Sequence, residues 1–117
     1  MSAETDLRAL LLATPAVTDL VGSRVAADRI EQGAARPFIV FTRTGTQRER
    51  TLTGQLIASN VALSVQCWAD TRLVAEAVAD AVDTALATQY QYAGDRSTGY
   101  DPELDLECAI LPVEWWE

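Results

Sequence analysis

Apolar positions along the chain switch between helical and strand spacing, and these changes mark its elements. Within residues 4–13, Leu7, Leu10 and Leu11 recur at helical spacing, and Glu4 and Asp6 fall in the first turn, where the helix dipole favours acids. Thr14-Pro15 ends that helix and opens a second, with Thr14 as N-cap and Pro15 at the first helical position. The second helix is short, buries Val17, Leu20 and Val21, and stops at Gly22. The outline is helix-turn-helix, but DNA reading would need basic or amide side chains on the second helix. Thr18 and Asp19 do not supply them, so the outline is packing.

Residues 25–36 are ambiguous, with a short strand placed near 28–31 and a turn at Gly33. Pro37 then opens PFIVFTRT, in which Ile39, Val40 and Phe41 favour a strand. Val61, Leu63, Val65 and Cys67 alternate with Ala62, Ser64, Gln66 and Trp68, the period of a strand buried mainly on one face. The two strands read as a hairpin with a long loop over residues 45–55, more than turn geometry requires.

Asp70 reads as the N-cap of a helix over residues 70–88. Leu73, Ala77, Ala81 and Ala85, beside Val74, Val78, Val82 and Leu86, form its apolar stripe. Arg72, Glu76, Asp80 and Asp83 lie toward the other side. QYQY at 89–92 reads as a brief strand, AGDRSTGYDPE as a loop, and Leu104, Leu106, Cys108 and Ile110 as one face of a last strand. Leu111-Pro112 breaks that phase and Val113 and Trp115 resume it one residue out of step, which predicts a bulge or an edge. The expected fold is α+β: a single mixed, mostly antiparallel sheet in one domain over residues 1–117. A long helix packs on one face, and two short N-terminal helices precede it.

Composition narrows the function. The chain has 117 residues, 49% hydrophobic and 22% charged, which suits an ordinary globular domain. Seventeen acids face nine basic residues, all Arg, for a net charge of −8. Such a surface repels phosphate backbones. The N-terminus lacks the basic region of a signal peptide, and no apolar run is long enough to span a bilayer. Cys67 and Cys108 have no CxxC partner and read as reduced, buried core residues, with a disulfide open only if their strands are adjacent.

Without His, no Ser-His or Cys-His pair can be built, and without Lys there is no Schiff base. Walker A and dinucleotide-binding glycine patterns are absent as well. The remaining candidate is DPELDLE, where Asp101, Glu103, Asp105 and Glu107 fall at every second position of an expected strand. A flat row diverges from any centre, whereas a cation needs ligands that converge. The row therefore reads as a solvated or partner-facing strand face, and no metal or cofactor is expected.

Two features point to protein contact. FTRTGTQRERTLTG collects Arg43, Arg48 and Arg50, a third of the basic residues, into one polar segment. Solvated loop charge and anion binding also fit it, but no aromatic residues interleave to stack bases. Trp115 and Trp116 stand where a terminus is ordinarily frayed and polar. One reads as a cover for the sheet, the other as either a second core contact or a docking anchor.

The order of these features resembles the tail-completion, or tail-terminator, family of long-tailed phages and related prophage-derived particles, including gene transfer agents. The resemblance rests on LRALLLATPAVTDLVGSRV, RIEQGAARPFIVFTRTGTQRERTL, the strand end QCWADT and the helix VAEAVADAVDTAL. Its marks are DLVG, the strand start at Pro37, the Arg50–Leu52 segment and Cys67-Trp68-Ala69. The resemblance implies a non-enzymatic virion subunit that forms a closed ring, usually a hexamer. It would sit at the head–tail junction after assembly in the host cytoplasm. Its implied partners are copies of itself, the tail tube protein and the head-side connector or stopper protein. DNA would pass through the pore without specific binding, and no membrane is involved. The Arg segment and the acidic row would then be complementary surfaces of neighbouring subunits. The alternative is a small acidic regulatory or inhibitor domain that binds one basic protein partner, and self-assembly distinguishes the two. A carboxylate–metal enzyme comes third.

Overall fold

A computed structural model of the chain describes residues 3–28, 35–50, 56–89, 92–103 and 105–116, with 3, 46–50, 56–60, 92 and 116 described through their main chain alone. Among these are three helices, α1 (Ala3–Ala13), α2 (Pro15–Val21) and α3 (Arg72–Ala87). Six strands accompany them: β1 (Val25–Ala27), β2 (Phe38–Arg50), β3 (Leu56–Ala69), β4 (Tyr92–Ala93), β5 (Ser97–Asp101) and β6 (Leu106–Trp116). They form one sheet in the order β1-β2-β3-β6-β4, with β5 also paired to β6. Only β1 and β2 run parallel. This is the expected α+β class.

The N-terminal helices form where the apolar spacing puts them, but their ends differ in detail. Thr14 holds the N-cap position of α2, yet its hydroxyl donates back to the Leu10 carbonyl at 2.8 Å rather than capping. Gly22 closes α2 at φ +62°, a conformation that favours glycine, with its N–H on the Thr18 carbonyl. The first described strand begins at Val25, and of the expected strand near 28–31 all but Asp28 lies outside the described residues. Tertiary bonds set that start: Val25 pairs with Ile39, Arg8 Nε donates to the Val25 carbonyl at 3.2 Å, and Arg24 Nε donates to that of Pro37 at 2.9 Å. Asp28, at φ +64°, has already left strand geometry. The expected Gly33 turn lies outside the described residues.

All three helices contribute to one core on one face of the sheet. Leu7 and Leu11 of α1, Val17 and Val21 of α2, and Val78, Val82 and Leu86 of α3 meet Ile39, Phe41, Val61, Leu63, Val65, Leu111 and Val113. On α3 the buried face is Ala75, Val78, Ala79, Ala81, Val82, Ala85 and Leu86. The expected stripe is rotated at its start: Leu73 is 82% exposed and Val74 37% exposed, and Ala77 is exposed as well. The cap is Thr71, whose hydroxyl accepts from the Val74 N–H, while Asp70 forms an ion pair with Arg36 at 2.8 Å. With one Ala beside each large residue, the spacing alone left two neighbouring stripes to choose between.

Strand β6 has no bulge. Its register with β3 is continuous from Asn60↔Trp116 to Ala69↔Glu107. The apparent phase change arises because both of its faces are apolar near residues 106–111. Leu106 joins Phe38, Val40 and Trp68 on the helix-free face, while Ala109, Leu111, Val113 and Trp115 face the helices. Pro112 is tolerated because its carbonyl accepts from Gly94 N–H on the β4 side, at 2.6 Å. A strand residue points its N and C=O the same way, so the missing donor faces the gap between β4 and β5.

Cys67 and Cys108 lie on adjacent strands but one register step apart, Cys67 opposite Ala109 and Cys108 opposite Trp68. Alternation sends them to opposite faces, and both are free, buried thiols. Burial pushes Cys108 up to about 12, against a smaller opposing hydrogen bond from the Cys67 main chain, and burial drives Cys67 higher still. Both folded-state values are raised, so the fold retains thiol protons that the unfolded chain loses above its ordinary value near 9. Stability is complete below that pH and is lost as pH rises toward 12. The loss is at most about 1.4 kcal/mol per pH unit for each thiol. Urea midpoints measured from pH 8 to 11 should fall, and more shallowly in Cys67→Ala. An equal slope in that variant would dismiss the Cys67 contribution.

Candidate interface surfaces

The sheet extends beyond its own core. The β2–β3 ladder continues past Gln47↔Asn60 to Arg50↔Leu56, whereas among the described residues β6 pairs with β3 only as far as Asn60. Beyond that row two strands project as a ribbon, on a molecule whose longest dimension is 51 Å. Arg48 and Arg50 therefore stand on a strand of this ribbon, opposite Ser59 and Leu56, and not in a long loop. The expectation of a 45–55 loop is corrected: alternating Thr, Arg and Gln can hold a ladder, and only residues 51–55 fall between β2 and β3. Arg43 lies nearer the core, exposed, with Nη1 4.0 Å from Glu4 of α1. Thr44 is the extra residue of a bulge between Arg43↔Leu63 and Gly45↔Ala62, a device that increases local twist.

The acidic row does not form one strand face. Asp101 ends β5, Glu103 and Asp105 lie in the turn, and Glu107 is in β6, so DPELDLE is a hairpin. Pro102 and the left-handed backbone of Asp105, at φ +53°, break the strand that the period of two implied. Asp101 Oδ1 accepts from the Glu103 N–H at 3.0 Å, and the Tyr100 hydroxyl donates to Asp105 at 2.7 Å. That hydrogen bond, then burial and the charges of Asp105, Glu107 and Asp101, hold Tyr100 above its ordinary value. The four acids still cluster at one end, because the turn brings both strand ends together there. Among the described residues no group of three or more acidic or Cys side chains is arranged to hold a metal.

The two ends lie at opposite limits of the β3–β6 ladder. The basic ribbon lies beyond Asn60↔Trp116 and the acidic turn beyond Ala69↔Glu107. Trp115, opposite Val61 and 7% exposed, is a core contact at the ribbon end. Trp116 pairs with Asn60 through its main chain, and its side chain lies outside the described residues.

Sequence reasoning missed a further cluster. Arg96, just before β5, donates to Glu76 at 2.6 Å, Asp80 at 3.0 Å and Asp83 at 2.5 Å. Those acids read as the solvated side of α3, but they pin the sheet edge to the helix. Their 76, 80, 83 spacing signals a single helix stripe, although nothing in it names Arg96 as the partner. The hydrogen bond to Glu76, partly offset by burial and joined by those to Asp80 and Asp83, pushes the guanidinium further up. A hollow of about 530 Å³ beside the β4–β5 gap is lined by Thr44, Ala62, Ser64, Gly94, Pro112 and Glu114, with one carboxylate and no acid–base pair.

The fold is shared with a chain of a virion particle. A chain in the solved structure of the "Virion of native gene transfer agent (GTA) particle" superimposes with a TM-score of 0.81, covering 97% of this chain and 92% of that one at 17% identity. The profile of the family described as "Tail completion protein gp17" matches residues 5–116, and the chain belongs to that family. No curated protein sequence matches. Membership makes this a structural component of a phage or phage-like virion. No helix is long and apolar enough to cross a membrane among the described residues.

Proposed function

We propose that the protein is a ring-forming subunit, a hexamer in the mature particle, that terminates the tail tube and joins the tail to the head-side connector. Its work is assembly and not catalysis. The observation that carries this reading is the sorting of charge to opposite ends, with Arg48 and Arg50 on the projecting ribbon and Glu103 and Asp105 in the turn. Subunits of a cyclic ring associate head to tail, so each must present two different, complementary surfaces. Opposite charges at the two surfaces also disfavour wrong registers.

The ribbon supports the same reading energetically. An isolated two-stranded hairpin is marginal in water, so this one calls for a partner surface. The surplus acid, −8 overall, suits a pore through which DNA slides without sticking. The tail tube protein and the head-side connector are the further partners of this role.

Electron microscopy of the native particle tests the proposal. The expected image is a six-fold ring of this chain at the head–tail junction. Finding the protein elsewhere in the particle, or no ring at the junction, would end the reading.

A further inference from the structure

Exposed apolar surface collects at one end of the helix layer, and an apolar hollow opens at the other. Among the described residues the exposed large apolar side chains are Leu73, Val74 and Tyr100, and all three lie at the acidic end. Leu73 and Val74 sit in the first turn of α3, which starts just past Ala69, the residue opposite Glu107. Tyr100 is opposite Glu107 as well. Leu73 is the extreme case, at 82% exposed. With about 100° of turn per residue, it stands across the helix from the buried face of Ala75, Val78, Val82 and Leu86, so it adds little to its own core.

The hollow lies at the far end of the same helix. It measures about 410 Å³ and is lined by Asp6, Ala9 and Leu10 of α1, by Gln89 just past α3, and by Trp115. Trp115, opposite Val61, supplies an apolar wall at the ribbon end of the sheet. An apolar cavity of about 150 Å³ takes a benzene molecule, so this hollow has room for a leucine side chain. Charge matches the two features. Arg72, exposed, precedes Leu73, while Asp6 stands at the hollow.

We propose that Leu73 of one copy inserts into this hollow of the next, with Arg72 against Asp6, as the apolar anchor of a head-to-tail contact. This rests on the ring reading above and names its contact within the helix layer. A knob and a hollow at opposite ends of one molecule make a heterologous contact, the kind that closes a ring when the rotation per copy fits. An apolar side chain buried beside a tryptophan supplies affinity that exposed ion pairs lack, and the charge pair sets the orientation. The acidic turn shares the knob's end and the Arg ribbon the hollow's end, so both pairings favour the same polarity of assembly.

The test places one thiol on each side, as Leu73→Cys and Ala9→Cys. Both positions are exposed, and the chain's own Cys67 and Cys108 are buried. Native particles carrying the double variant are treated with a bismaleimide much shorter than α3. Within one subunit the 16 residues of α3, about 24 Å, keep the two thiols beyond its reach. The expected product is a ladder of covalently joined copies, formed by the double variant and by neither single variant. No ladder, or a link only to another protein of the particle, overturns the proposal. So does a dimer from either single variant, which would make the contact isologous. Leu73→Asp should keep the melting temperature and reduce joined head–tail particles at least tenfold, whereas Leu73→Met should keep the count. A normal count with Leu73→Asp overturns the proposal too. A six-fold ring at the junction without the ladder sinks this proposal alone. A ladder from particles that show no ring there sinks only the ring reading.

Discussion

Val78→Asp should strongly destabilise the protein and lower its melting temperature. Val78 is fully buried at the centre of the α3 face, among residues of all three helices and the sheet. A carboxylate there would be buried without a partner, because the Arg nearest in role, Arg96, is already held by Glu76, Asp80 and Asp83 on another side of the helix. The expected cost is about 4 kcal/mol or more, against a total stability of about 5–15 kcal/mol for a domain of this kind. Val74→Asp provides the contrast. Val74 is 37% exposed, so the new charge stays hydrated and should cost about 1 kcal/mol or less. Thermal melts of the two variants side by side decide the matter. Similar melting temperatures would mean that the buried face of α3 is not the one described.

Reversing Arg48 and Arg50 together to Glu should leave the isolated subunit folded and abolish tail completion. Both residues lie on the ribbon beyond the end of β6, remote from the core formed under the helices. An exposed ion pair is worth only about 0–1 kcal/mol, so a single contact would not hold a ring. A closed ring repeats the contact at every interface, however, and two reversals turn each attraction into repulsion. Joined head–tail particles should fall by a factor of about 10 or more, the effect of roughly 1.4 kcal/mol at one interface. Glu103→Arg is the compensating change of choice. Among the turn acids, Asp101 caps the Glu103 N–H and Asp105 accepts from Tyr100, so replacing either would disturb the turn itself. Partial recovery of particle counts in the triple variant would support direct contact between ribbon and turn. A normal count from folded double-reversal protein would reduce the Arg cluster to solvated charge.

The sequence by itself determined the elements whose signal is local. The period of two in β3 placed Val61, Leu63, Val65 and Cys67 on the buried side, and all four are buried. The spacing of Leu7 and Leu11, with Pro15 and Gly22 as punctuation, placed α1 and α2. Periodicity also located α3, and the absence of His and Lys narrowed the available chemistry. The collinear order of these features was enough for the family resemblance, and the profile match shows that family.

Only the tertiary structure decided what depends on residues distant in sequence. Which of two neighbouring stripes on α3 is buried follows from where α1, α2 and the sheet lie, and Leu73 lost to Ala75 for that reason. The apolar run in β6 looked like a broken phase because a single strand cannot reveal that both its faces are covered. DPELDLE satisfied strand alternation, yet Pro102 and Asp105 turn it into a hairpin, since a period of two in four acids carries no information about backbone direction. GTQRER, at the start of the expected 45–55 loop, looked like a loop because its polarity argued against burial. A projecting ribbon needs main-chain partners and not buried side chains, and β3 supplies them from Leu56 onward. The Arg96 cluster brings together a residue before β5 and three on α3, a contact that chain spacing does not encode. Local periodicity records which residues avoid water, and the packing of distant segments decides against what.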